Sequence, residues 1–250
     1  MTFSSFVAVG DSFTEGMGDE LSDGTPRGWA DLVALGLAVA SPEPVGYANL
    51  AIRGRLLAPI AGEQMDAAIG MAPELITING GGNDILRPRV SIDAIAEELA
   101  GSAERAAAHG IHVLVVSGAN PSRHIPMGAR VQARGDLLAE AVVSRLAGTG
   151  IPFVDNWTDA ELAELRFWSR DRLHLGPGGH RRVAARVLAA LEVPVPDFGA
   201  EPAEPARPRT AEYWREYVLP WIGRRLTGRS SGDNREPKYP RLQPVTVEGR

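Results

Sequence analysis

A serine hydroxyl stands in the segment Gly10-Asp11-Ser12-Phe13-Thr14-Glu15-Gly16, directly after an apolar run that reads as a first strand. At the carboxyl end of a strand, where backbone N–H groups can face an incoming carbonyl oxygen, Ser12 could act as a nucleophile. It could equally be an ordinary helix cap or part of a turn, for which Gly-Asp-Ser is common. A serine is nucleophilic near neutral pH only if a base takes its proton, so the chemistry requires a histidine at the same edge. In Asp171-Arg172-Leu173-His174 a carboxylate precedes a histidine by three residues, in a loop before the last predicted helix. That spacing lets the acid hold one imidazole nitrogen while the other serves the serine. A local capping pair would use the same spacing.

The other four histidines fit less well. His109 ends a predicted helix, His112 opens a strand, His124 lies in a loop with no acid nearby in sequence, and His180 falls in the last helix, facing solvent or packing. Acyl transfer also needs donors for an oxyanion, and two further strand ends supply them. Asn49-Leu50-Ala51-Ile52-Arg53-Gly54 offers a glycine whose backbone can approach closely, and Gly80-Gly81-Gly82-Asn83-Asp84 offers the Asn83 amide. The alternatives are a phosphate-binding loop or plain turn for the glycines, and a helix cap for Asn83.

Five strands, at 6–10, 45–51, 75–80, 112–118 and 152–155, must carry these loops. Amphipathic, Ala-rich helices fall between and after them, at about 28–40, 60–71, 91–109, 129–147 and 177–191. The alternation is that of βα units, and strands apolar on both faces imply a parallel sheet covered by helices on each side. Ligands of such three-layer α/β folds bind beyond the carboxyl ends of the strands. Pocket walls are therefore expected from the loops at 16–27, 56–62, 120–128 and 156–170, the last bearing Trp157, Phe167 and Trp168.

Composition narrows the chemistry further. The chain has 250 residues, a formal charge of -5 and no cysteine, which excludes thiolate nucleophiles, thiolate metal sites and disulfides. Charges are mixed along the chain, so no nucleic-acid surface is expected. No apolar run reaches the roughly 20 residues of a membrane span, and the amino-terminal segment lacks the pattern of a signal peptide, so the expected location is cytoplasmic. Only one of the 26 basic residues, Lys238, is lysine. That scarcity reads as a compositional bias toward arginine.

From about residue 193 prolines accumulate, dividing the chain into a domain at 1–193 and an extension at 194–250. Within the extension 210–219 reads as a helix, with Tyr213, Tyr217 and Trp221 four apart and Arg224, Arg225 and Arg229 beyond. A docked arm is favoured over a lid or a partner contact, with 228–234 and the last residues flexible.

The four segments occur in the order and with the residues of the SGNH, or GDSL-type, hydrolases, which the chain resembles over about residues 5–192. They are Gly-Asp-Ser-x-Thr-x-Gly at 10–16, the glycine at 54, Gly-x-Asn-Asp at 81–84 and Asp-x-x-His at 171–174. The resemblance implies a flavodoxin-like, five-stranded sheet with Ser12 as nucleophile, Asp171 and His174 completing a triad, and an oxyanion hole made by Ser12, Gly54 and Asn83. It implies a serine esterase acting on a small soluble ester through an acyl-serine, with no cofactor or metal. Acyl transfer and thioester cleavage use the same triad, and a phosphate-binding flavodoxin-like module is the remaining alternative. Arg53 departs from the commonest pattern, and its guanidinium could meet an anionic group or pair with a neighbouring acid.

Overall fold

A computed structural model describes residues 2–199, 208, 210–220 and 232–247. Five short strands pair in parallel: β1 Ser5–Val9, β2 Gly46–Asn49, β3 Leu75–Ile78, β4 His112–Val116 and β5 Phe153–Val154. The sheet has one strand more than the sequence predicts. β6, Tyr239–Pro244, comes from the extension and pairs antiparallel with β2, giving the order β5-β4-β3-β1-β2-β6. Pro240 and Pro244 and the lack of apolar alternation hide it in the sequence; proline is tolerated there because the strand lies at an edge.

Successive side chains of a strand point to opposite faces, and the core divides accordingly. Phe6, Ala8, Leu114 and Val116 meet α2 (Gly28–Ala40) and α7 (Pro177–Ala190) on one side. Val7, Val9, Ile76, Ile78, Val113 and Val115 meet α5 (Ile92–Ala107) and α6 (Gly128–Leu146) on the other. Pro177 occupies the first turn of α7, where its missing N–H costs no hydrogen bond. The predicted helix at 60–71 is broken into α3 (Leu57–Pro59), a wider π turn (Ile60–Gln64) and α4 (Met65–Gly70). A one-turn helix that the sequence reading passes over, α1 (Ser12–Glu15), follows β1. In the extension α8 (Thr210–Tyr213) runs on as a π turn, Trp214–Val218. Trp221, Arg224, Arg225 and Arg229 lie outside the described residues, as does part of 228–234. Among the described residues no helix is long and apolar enough to cross a membrane.

His180 neither faces solvent nor merely packs. It is fully buried on α7, its Nδ1 accepts from the Trp29 N–H at 3.1 Å, and its Nε2 lies 3.1 Å from the Met17 carbonyl, which fixes the Nε2–H tautomer. The imidazole thus ties the start of α2 to the loop leaving α1. Burial pushes its pKa from the ordinary 6.5 down to about 4. The folded protein refuses a proton that the unfolded chain accepts, so this contribution is complete above pH 6.5 and is lost as pH falls toward 4. The window is worth about 3 kcal/mol. Denaturant melts at pH 7, 5.5 and 4.5 are expected to show a decline that flattens in His180→Asn, which starts less stable at pH 7; parallel declines in both proteins would refute this.

Candidate active site

The order β2-β1-β3-β4-β5 reverses direction at β1 and β3, and the crevice beyond such a switch point is where this kind of sheet binds ligands. The Ser12 segment leaves β1 and the Asn83 segment leaves β3, so sheet topology alone brings the two together.

The turn after β1 is tightly specified. Gln64, presented by the π turn, accepts the Gly10 N–H at 2.8 Å and donates to the Gly10 carbonyl at 3.1 Å. A Cβ on Gly10 would fall 2.4 Å from Thr14 Oγ1. Asp11 caps α1, its Oδ1 accepting from the Phe13 N–H at 3.0 Å, and Ser12 is the first helical residue. Gly16 ends the helix at φ +101° and lies against Gly28, where a Cβ would come within 2.2 Å of the Gly16 Cα.

Gly54 sits in the left-handed region at φ +73°, which favours glycine. Its neighbour Arg53 meets an acid: the Arg53 N–H donates to Glu15 Oε2 at 2.7 Å and its guanidinium grips the same carboxylate through Nε and Nη2. With the side chains 14% and 9% exposed, the pair is a buried rivet between the Gly54 turn and α1.

Asn83 Nδ2 donates to Asp11 Oδ2 at 3.1 Å and to the Arg55 carbonyl at 2.9 Å. The amide therefore rests on protein acceptors at the cavity wall, where the sequence suggests an oxyanion donor or a helix cap. Asp84 accepts the Leu57 N–H, the first of α3, at 2.9 Å.

On the opposite lip, Trp168 and Leu175 form an antiparallel bridge that encloses residues 169–174 as a tight loop. Arg172 lies at φ +58°, and this unusual turn lets the N–H groups of Leu173 and His174 both donate to Asp171 Oδ1 at 2.9 Å. Ser169 Oγ adds a third bond at 2.7 Å. Asp171 Oδ2 is 2.6 Å from His174 Nδ1, so the ionised acid fixes the Nδ1–H tautomer and leaves Nε2 free of it. Burial works to raise the Asp171 pKa, but His174 and the backbone donors outweigh it and hold the carboxyl well below the usual range. For His174 burial acts downward, the Asp171 charge and hydrogen bond act upward and prevail with help from Asp11, and the imidazole is net more basic than usual.

Ser12, Gly54, Asn83, Asp171 and His174 all line one cavity of about 1040 Å³. Ser12 and His174 line the same cavity, with no hydrogen bond between Ser12 Oγ and the imidazole. Asp11, which the sequence reading passes over, belongs with them: it is 5% exposed, it holds Asn83, and burial pushes its pKa up to about 6. The adjacency of Asp11 to Ser12 was its only signal in the sequence. Of the predicted wall aromatics Trp157 and Trp168 line the cavity and Phe167 does not. Both indoles are tied to protein acceptors, Asp136 and the Leu162 carbonyl, each at 2.7 Å. Among the described residues no cluster of three or more His, Asp or Glu could hold a metal ion.

The model of the GDSL-like Lipase/Acylhydrolase family matches residues 8–182, well over half of the chain, and stops within α7. No curated protein matches. Solved structures with the same fold include a lipase/acylhydrolase from Enterococcus faecalis, 18% identical, with a TM-score of 0.60 over 77% of this chain and 96% of that one. An acetylxylan esterase from Geobacillus stearothermophilus is 18% identical, with a TM-score of 0.59 over 79% and 98%. An alpha/beta hydrolase enzyme from the metagenome of Lake Arreo, Spain, is 23% identical, with a TM-score of 0.60 over 76% and 95%. The chain belongs to the GDSL-like lipase/acylhydrolase family and is a carboxylic ester hydrolase.

Proposed function

We propose that the protein hydrolyses a small carboxylic ester through an acyl-serine formed on Ser12, with His174 as general base and Asp171 as its orienter. The observation that carries this reading is the Asp171–His174 pair, locked in one tautomer and opening on the cavity that Ser12 lines. His174 Nε2 takes the Ser12 proton as Oγ bonds to the acyl carbon, then gives it to the leaving alkoxide when the ester C–O bond breaks. Water repeats the sequence and frees the acid. The Ser12 and Gly54 N–H groups and Asn83 Nδ2 hold the oxyanion, Asn83 redirecting the proton that rests on Asp11.

The polar end of the cavity continues into an apolar wall that includes Leu86, Val90, Leu138, Val142 and Phe153. That wall supports a substrate whose acyl part is hydrocarbon. Across aryl esters of graded acyl length, turnover is expected to rise beyond acetyl. Ser12→Ala should abolish both turnover and labelling by an alkyl phosphonate; retained activity places the nucleophile elsewhere.

The base must be neutral to act, and His174 is more basic than an ordinary histidine. kcat/KM should therefore fall as pH drops through a midpoint above 6.5. A profile flat between pH 5 and 8 would contradict the role of His174. Asp11 supports the imidazolium through its charge, so Asp11→Asn should move that midpoint to lower pH and reduce kcat, since it replaces by a donor one of the two oxygens that accept from Phe13 and Asn83. An unmoved midpoint, followed in parallel by the ring resonances of His174, would remove Asp11 from the site's electrostatics.

A further inference from the structure

The extension leaves the family-matched residues behind, yet it returns to the turn that carries Ser12. Lys238, the only lysine of the chain, enters just before β6 with its side chain 8% exposed. Its Nζ donates to the carbonyls of Glu15 at 2.7 Å, Pro26 at 2.8 Å and Arg27 at 2.7 Å, and lies 2.9 Å from Asp31 Oδ1. The Glu15 carbonyl is the last of α1. From Asp31 a second route leads back: the Tyr47 hydroxyl donates to Asp31 at 2.7 Å, and Asn49 Nδ2 donates to the Tyr47 oxygen at 2.9 Å and to the Thr14 carbonyl at 3.0 Å. The ammonium therefore holds the last carbonyl of the helix that begins at Ser12, and the same hydrogen-bonded network holds the one before it. A third contact lies at the neighbouring turn, where a Cβ on Gly232 would fall 2.0 Å from the Arg53 carbonyl.

We propose that residues 232–238 form a strap that completes the catalytic site, with Lys238 as a positioning residue that fixes α1, and so Ser12, relative to Gly54 and His174. The proposal rests on Ser12 being the nucleophile. A single helical turn has no cooperativity of its own to hold it in place. Misplacing a reacting atom by an ångström costs on the order of a hundredfold in rate, so whatever anchors that turn acts on turnover. The anchor's chemistry also explains the residue type. Three carbonyls from separate positions converge on one point, which suits a compact ammonium and not the flat, forked guanidinium that the chain uses elsewhere.

The test uses the full-length chain. Lys238→Met is compared with Leu242→Ala, which loosens β6 at its packing against Gly46, away from α1. Below both melting temperatures, Lys238→Met should lose about tenfold or more in kcat and in the rate of phosphonate labelling, with KM within about threefold of wild type. Leu242→Ala should keep kcat despite its loss of Tm. Because the chain has no cysteine, Lys238→Cys can be alkylated at that position alone in denaturant and refolded. Aminoethylation, which rebuilds an ammonium, should restore kcat where carbamidomethylation does not. The strap proposal is overturned if Lys238→Met stays within about twofold of wild-type kcat, or if both alkylated proteins are equally active. Should Lys238→Met fail to fold, amine acylation of the native protein decides: loss of activity must track acylation of Lys238, and a fully active Lys238-acylated protein refutes the role. Wild-type activity in Ser12→Ala would instead fail the nucleophile assignment and leave the Lys238 comparison readable.

Discussion

A helix of one turn, half-buried at the carboxyl edge of a sheet, cannot satisfy its own ends. α1 makes the Glu15-to-Asp11 and Gly16-to-Ser12 bonds internally, and its remaining polar groups must find partners elsewhere because buried backbone groups left unpaired are costly. Much of the surrounding structure meets that need. Asp11 takes the Phe13 N–H, Asn49 the Thr14 carbonyl and Lys238 the Glu15 carbonyl. Those three partners come from the turn itself, from β2 and from the approach to β6. The segment that presents Ser12 is thus held by groups up to 223 residues away in the chain.

The same demand shapes the charges. Asp11, Glu15, Asp84 and Asp171 crowd one edge of the sheet, and each is engaged: Asp11 by Asn83, Glu15 by Arg53, Asp84 by the first N–H of α3 and Asp171 by His174. Their burial would be prohibitive without these partners. The pairing also sets the order in which they ionise. Asp171 remains a carboxylate far into acid, whereas Asp11 and Asp84 are raised by burial. One acid is therefore permanently available to an imidazolium.

What could be read from the residues was whatever depends on local pattern. Alternating apolar strands and Ala-rich helices disclosed the layered sheet, and Ser12, Gly54, Asn83, Asp171 and His174 do share one cavity because strand ends of a parallel sheet share one edge. What could not be read depends on contacts distant in sequence. The acid that Arg53 pairs with, Glu15, lies 38 residues earlier, and the tie from His180 to Trp29 spans 151. Lys238 read as a trace of composition because nothing around it in sequence shows the three carbonyls it meets. The resting partner of the Asn83 amide was equally hidden, because Asp11 lies 72 residues away.

β6 has a consequence for how copies of the protein meet. A parallel sheet of five strands would leave β2 as an edge with unpaired N–H and C=O groups, a template for another chain's strand. β6 covers that edge and presents in its place a strand interrupted by Pro240 and Pro244, which have no N–H to offer, with the charged Arg241 between them. The opposite edge, β5, is only two residues long. Neither margin offers an uninterrupted ladder, so the sheet is terminated on both sides against growth from molecule to molecule.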